Sequence, residues 1–285
     1  MNWDQHKSTW PNAALSRIVT CRPHRWHVQR GGTGPRLLLL HGAGGATHSW
    51  RDVIPDLMAD HEVLAVDLPG HGFTQLGTRH RSGLDHMAED LTALLAAEDF
   101  APRITVGHSA GAAVALRIAL DGPQPKGVLT FNAALGNFPG LAGWLFPIMA
   151  KLLAINPLTA IAFAKLSSAN SSKRLIDSTG SNIDAAGLAQ YGALITDRAH
   201  VDGALNMMAQ WSLDRLLADL PRLDIPVHLI AAANDKTVPA ETSAAVAARM
   251  PAATSEIWQD LGHLAHEEVP EKATCAIRAF AAILP

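Results

Sequence analysis

Between a short apolar run and an alanine-rich one lies Gly107-His108-Ser109-Ala110-Gly111. Ile104-Thr105-Val106 reads as a buried strand and Ala112 to Ile118 as the start of a helix. The chain between them must reverse within about two residues, which holds the serine in a strained backbone conformation. A side chain two positions before or after Ser109 would collide with neighbouring backbone, so Gly107 and Gly111 suit the turn. The serine hydroxyl is then raised on a helix N-terminus, where developing negative charge is favoured. A strand, a sharp elbow and a helix in that order constrain the architecture more than any other feature of the 285 residues.

The remaining pattern agrees with an α/β chain. Strand signals at Arg25–Gln29, Leu37–Leu40, Val63–Val66, Val128–Phe131, Val227–Ala232 and Thr254–Trp258 alternate with helical ones at Trp50–Ala59, Leu84–Ala97, Thr242–Arg249 and Ala265–Ile283. Such alternation predicts a mostly parallel central sheet with helices on both faces. It stops between Ala133 and Leu220, where only helical segments broken by Pro and Gly can be read. The expected organisation is a core of residues 1–132 and 221–285 interrupted by a helical insertion at 133–220.

Composition narrows the function classes. Apolar residues make up 48% of the chain and charged ones 17%, ordinary for a globular protein with a sizeable core. A net charge of −3 without a basic stripe gives no reason to expect nucleic acid as a partner. Cys21 and Cys275 form neither a disulfide framework nor a zinc knuckle. Fourteen histidines include no metal-binding spacing and read mostly as surface or loop residues, so neither metal nor other cofactor is expected. Met1 to Trp10 is polar and unlike a signal peptide, which makes the cytoplasm the expected compartment. No uncharged apolar stretch reaches the roughly 18 residues of a membrane span; Leu141–Leu166 comes nearest but is broken by Pro147 and Pro157.

A serine hydroxyl needs a base to take its proton, and the base needs an acid to orient it. After an elbow of this kind the chain order is serine, acid, histidine. Asp235, in Asn234-Asp235-Lys236-Thr237-Val238-Pro239, follows the strand ending at Ala232, and His263, in Leu261-Gly262-His263, follows the next strand. Both lie just past the carboxyl ends of strands, where open α/β sheets place their sites. Asp67 also follows a strand, but it precedes the serine and its Pro-Gly neighbours suit a structural turn. His266 falls within the last helix, and His108 reads as a filler of the elbow. Backbone N–H groups of Ala110 and of Ala43, in His41-Gly42-Ala43-Gly44-Gly45, are the expected oxyanion-hole donors. That glycine-rich loop lacks the full spacing of a dinucleotide fingerprint.

These segments resemble the α/β-hydrolase superfamily over nearly the whole chain: His-Gly-Ala-Gly-Gly at 41–45, Asp-Leu-Pro-Gly-His-Gly at 67–72, Gly-His-Ser-Ala-Gly at 107–111, Asn-Asp-Lys-Thr-Val-Pro at 234–239 and Leu-Gly-His at 261–263. The resemblance implies a helical cap where the alternation stops. Ser109, rather than Asp, points away from its epoxide hydrolases and haloalkane dehalogenases. A narrower similarity, to the magnesium-chelatase accessory hydrolases of bacteriochlorophyll biosynthesis, rests on Trp26-His27-Val28-Gln29, Gly42 with Thr47-His48-Ser49-Trp50-Arg51, residues 67–74 and Gly107–Ala113. It implies a photosynthetic bacterium, a role near magnesium insertion into protoporphyrin and a contact with the chelatase. The 43–45 loop lacks the Thr associated with that group, which leaves its backbone donors unaffected.

Within 133–220, Trp144, Phe146, Met207, Met208 and Trp211 are the candidate substrate-binding residues. At helical spacing such side chains can simply be packing. They can also roof an apolar pocket for a large flat or lipid-like substrate, such as a tetrapyrrole ester. Lys151 and Lys165 could flank a face resting on a membrane, placing the protein at the periphery of the inner membrane. The leading expectation is a serine hydrolase acting on a carboxylic ester of a large apolar substrate. Two others stay open: carbon–carbon bond hydrolysis of a ring-cleavage diketone, and a non-catalytic porphyrin carrier or chelatase partner.

Overall fold

The computed structural model describes residues 1–136 and 169–285. Eight strands form one sheet: β1 (Ser16–Cys21), β2 (His24–Gly31), β3 (Arg36–Leu40), β4 (Glu62–Val66), β5 (Ile104–His108), β6 (Gly127–Phe131), β7 (Val227–Ala232) and β8 (Ala253–Trp258). Their spatial order is β1-β2-β4-β3-β5-β6-β7-β8. β2 pairs antiparallel with both β1 and β4, and every later pair is parallel. Leu37–Leu40 and Val63–Val66 are continuous apolar runs because both faces of these strands are covered.

The helices described are α1 (Trp3–His6), α2 (Val53–Leu57), α3 (Leu84–Ala97), α4 (Ala110–Asp121), α5 (Ala169–Ser178), α6 (Ala185–Thr196), α7 (Arg198–Gln210), α8 (Asp214–Asp219), α9 (Glu241–Ala247), α10 (Ala265–Glu268) and α11 (Pro270–Ile283). Helix α3 buries Leu84, Met87, Leu91, Leu94 and Leu95, one apolar stripe at helical spacing. With α4 and α8 it packs on one sheet face, against Leu38, Leu40, Leu64 and Val66. Leu37, Leu39, Val63 and Ala65 point to the opposite face, where α2 and α11 lie. Among the described residues, α5 to α8 fill the chain between β6 and β7 without a strand, and no helix is long and apolar enough to cross a membrane.

Three expectations need correction. The helix expected at Trp50–Ala59 is a short 3₁₀ turn, Thr47–Trp50, followed by the five-residue α2, which carries Pro55 in its first turn. The closing helix is broken into α10 and α11 at Val269 because Pro270 cannot donate a backbone bond into the preceding turn. Most histidines are not at the surface, although His41, His61, His71 and His263 do lie in loops: His24, His27, His41, His48, His61, His71, His108, His200, His263 and His266 are buried, ten of the fourteen. Burial is possible because most of these rings satisfy neighbouring polar groups, largely backbone and carboxylates, that water cannot reach.

Candidate functional site

Ser109 follows β5 directly at φ 52° and ψ −117°, and α4 begins with the next residue. This left-handed conformation of a non-glycine residue is the backbone strain that the elbow requires. A Cβ on Gly107 would lie 2.5 Å from the Gly111 carbonyl oxygen, and one on Gly111 would lie 2.4 Å from that of His41. The Ser109 N–H donates to Phe131 O at 3.0 Å, and its carbonyl accepts from Ala112 and Ala134. The turn is thus pinned to the end of β6.

Parallel β7 and β8 deliver the other two side chains to the same edge. His263 Nε2 lies 3.0 Å from Ser109 Oγ, and His263 Nδ1 lies 2.7 Å from Asp235 Oδ2. A neutral imidazole satisfies both bonds when Nδ1–H donates to the carboxylate and Nε2 accepts from the hydroxyl. Asp235 Oδ1 accepts from the N–H groups of Thr237 and Val238, at 2.7 and 2.8 Å. Asn132 Nδ2 donates to Asp235 Oδ2 at 2.8 Å. The carboxylate therefore has four donors, and its side chain is fully out of solvent. Ser109 and His263 retain 8% and 6% exposure, enough to face the cavity above them.

The competing residues have other duties. Asp67 Oδ2 accepts from His27 Nδ1 and Phe73 N–H, and its Oδ1 accepts from Thr47 N–H. Burial pushes its carboxyl up, yet His27 and these donors outweigh that and hold it well below the usual carboxylate range. His266 is fully buried, bonds Ser49 Oγ at 2.7 Å and packs on the Trp50 ring. Burial, reinforced by His263 and Arg51, keeps it neutral. His108 is more than filler: its Nε2–H donates to the His263 carbonyl at 2.9 Å, joining the elbow to the loop that carries His263. Burial, with the neighbouring imidazoles of His266, His263 and His41, pushes its pKa well below the ordinary histidine value.

Ser109, His263, Ala43 and Ala110 share a cavity of about 580 Å³ with Ile176, Tyr191, Met207, Met208 and Trp211. Met207, Met208 and Trp211 thus line the cavity; Trp144, Phe146, Lys151 and Lys165 lie outside the described residues. The walls supplied by α5–α8 are tied to the core by buried polar groups that the sequence reading missed. His200 Nε2–H donates to Gly44 O at 3.2 Å, and its Nδ1 accepts from Gly72 N–H at 3.0 Å. Tyr191 Oη donates to Glu267 Oε1 at 2.7 Å, while Arg51 bridges Glu267 and Asp184. Burial drives the Glu267 carboxyl upward against the pull of Arg51. Asn132 was missed too, although an Asn directly after a strand is a residue type tolerated at its φ of 47°.

A sequence profile for the alpha/beta hydrolase fold matches residues 35–270. The chain belongs to the α/β-hydrolase family. Among its α/β-hydrolase relatives, the magnesium-chelatase 30 kDa subunit of Rhodobacter capsulatus is 46% identical over 263 residues, 91% of this chain and 92% of that protein. A pimeloyl-acyl-carrier-protein methyl ester esterase of Xylella fastidiosa is 26% identical over 271 residues, 91% of this chain and 100% of that one. The crystal structure of an α/β-hydrolase fold protein from Burkholderia ambifaria superimposes with a TM-score of 0.76 at 23% identity, covering 92% of this chain and 97% of that one.

Proposed function

We propose that this α/β-hydrolase is a metal-independent serine hydrolase that cleaves a carboxylic ester of a large apolar substrate. The observation that carries this reading is the continuous relay Asp235 Oδ2–His263–Ser109 Oγ, with contacts of 2.7 and 3.0 Å. As Ser109 Oγ attacks the ester carbonyl carbon, its proton passes to His263 Nε2, and Asp235 stabilises the imidazolium. The carbonyl oxygen takes the negative charge and is held by the N–H groups of Ala43 and Ala110. Among the described residues neither of these N–H groups donates to another protein group. When the carbonyl re-forms, the C–O bond to the alcohol breaks and His263 returns its proton to the leaving oxygen. Water, deprotonated by the same imidazole, then releases the acid and regenerates Ser109.

Residues 133–220 serve as a cap over the core of 1–132 and 221–285, and Met207, Met208 and Trp211 form its apolar inner wall. Trp144 and Phe146 stay candidate substrate-binding residues from the sequence. A cavity of about 580 Å³ falls within the range of sites for drug-sized molecules. Similarity to the Rhodobacter subunit supports a place beside magnesium chelation with the chelatase as a contact, and a tetrapyrrole ester is the substrate proposed for the apolar wall.

A fluorophosphonate probe tests the reading: native protein should label and Ser109→Ala should not. Hydrolysis of porphyrin methyl esters, compared with short aryl esters, then tests substrate size. An unlabelled native protein, together with tight porphyrin binding that survives Ser109→Ala, would replace the hydrolase with a carrier.

A further inference from the structure

We infer that the turn Thr179–Ser181, between α5 and α6, is a positioning element for the acid and the base. This rests on the proposed roles of Asp235 and His263 and extends them to residues outside the core sheet. Asp235 and His263 stand on loops from different strands, and their separation fixes the relay. The Thr179 carbonyl accepts from Lys236 N–H at 3.1 Å and from His263 N–H at 3.3 Å, so one oxygen holds both loops. Ser181 Oγ accepts from Leu264 N–H at 2.8 Å in a buried setting. Glu268 completes the seat, taking Gly262 N–H at 2.9 Å and Asn182 N–H at 3.1 Å on its two carboxylate oxygens.

The fit is backbone against backbone. Gly180 has φ +84°, and a Cβ there would lie 2.0 Å from the Asn234 carbonyl oxygen. A Cβ on Gly262 would lie between 2.3 and 2.4 Å from atoms of Gly180 and Ser181. The two loops also touch directly through Asn234 N–H to Leu261 O at 2.9 Å. With the turn in place they are spaced at two points rather than one. The helical segment thus does two things: α5 and α7 shape most of its share of the pocket, while this turn, whose Thr179 also reaches the lining, sets the geometry of proton transfer.

The two roles separate with reagents too small to need the pocket wall. Ser181→Ala, which removes the acceptor for Leu264 N–H, should lower kcat for phenyl acetate and the fluorophosphonate labelling rate by about ten-fold. KM for phenyl acetate should stay within about two-fold, since the variant acts on geometry rather than on binding. Ser181→Thr, which keeps the hydroxyl, should restore most of the rate. Gly180→Ala should lose more, about a hundred-fold. A readout that needs no activity is the downfield proton resonance of the His263–Asp235 hydrogen bond, followed in native protein and in a Ser109→Ala background. It should broaden or move in Ser181→Ala and return in Ser181→Thr. An unchanged resonance in folded Ser181→Ala, with native kcat where native protein turns over, would overturn the assignment. Failure of native protein to label would instead count against the hydrolase reading, and the resonance would still decide the role of the turn.

Discussion

Replacing Asn132 with Gly separates the fold of this protein from its chemistry. Asn132 is 1% exposed, sits at φ 47°, and donates through Nδ2 to Asp235 Oδ2 at 2.8 Å. Among the described residues no protein group donates to its buried Oδ1. Losing a hydrogen bond to a charged group costs about 1.5–3 kcal/mol, and losing the unsatisfied oxygen returns about 1–3 kcal/mol. Glycine adopts the left-handed backbone freely and adds only about 0.5–1 kcal/mol through the entropy of the unfolded chain. These contributions nearly cancel, so the melting temperature should move by no more than about 4 °C. The catalytic consequence does not cancel, because the carboxylate that orients His263 loses one of four donors. If the whole of that charged bond acts in the transition state, the loss is about ten- to a hundred-fold in kcat/KM. Aryl-ester hydrolysis and calorimetry on the same preparation decide the matter. Native kcat/KM at native melting temperature would show that the amide does nothing for Asp235. A collapse of both would show that Asn132 is a folding residue.

Other substitutions test neighbouring parts of the site. Gly111→Ala places a methyl 2.4 Å from His41 O and 2.5 Å from Leu40 O, backbone atoms that cannot retreat. It should abolish fluorophosphonate labelling, and a labelled, folded variant would contradict the elbow geometry. Trp211→Ala should raise KM for a porphyrin methyl ester at least about ten-fold while changing that for phenyl acetate little, since about 1.4 kcal/mol of apolar contact corresponds to that factor; equal effects on both would argue against the wall. Burial lowers both His48 and His71 to about 3 in the folded chain. Their unfolded forms titrate near 6.5, so between pH 6.5 and 3 the unfolded chain binds more protons and stability falls as pH falls. Each histidine contributes a slope of up to about 1.4 kcal/mol per pH unit across that window. Denaturant titrations from pH 7 to 4 should show this slope, and a flat profile would refute it.

What could be read beforehand was whatever the chain encodes locally. Leu84–Ala97 has the helical stripe from end to end, and Val227–Ala232 is a strand with those same bounds. Chain order favours Asp235 over Asp67, and Asp235 Oδ2 lies 2.7 Å from His263 Nδ1. The antiparallel β1 escaped because Ser16–Cys21 is half-buried and only weakly alternating. The break at Val269 was visible in Pro270 but was overridden by the long apolar period around it. Buried histidines escaped for a deeper reason: whether a ring faces water or a backbone carbonyl depends on elements far apart in the chain, as with His200 between Gly44 and Gly72. The same holds for Asn132 and for the Thr179 carbonyl, whose partners are 103 residues away and on two separate loops.

For protein engineers, the double seat of Thr179 limits how freely the region between β6 and β7 can be exchanged with that of a relative. Even Met207 and Trp211 are not free to change, since Met207 packs on Met87 and Ala110 and Trp211 rests on the same cluster as well as lining the hollow. A graft that discards residues 179–181, however well it closes over a new ligand, would import a roof and leave the machinery beneath it out of register.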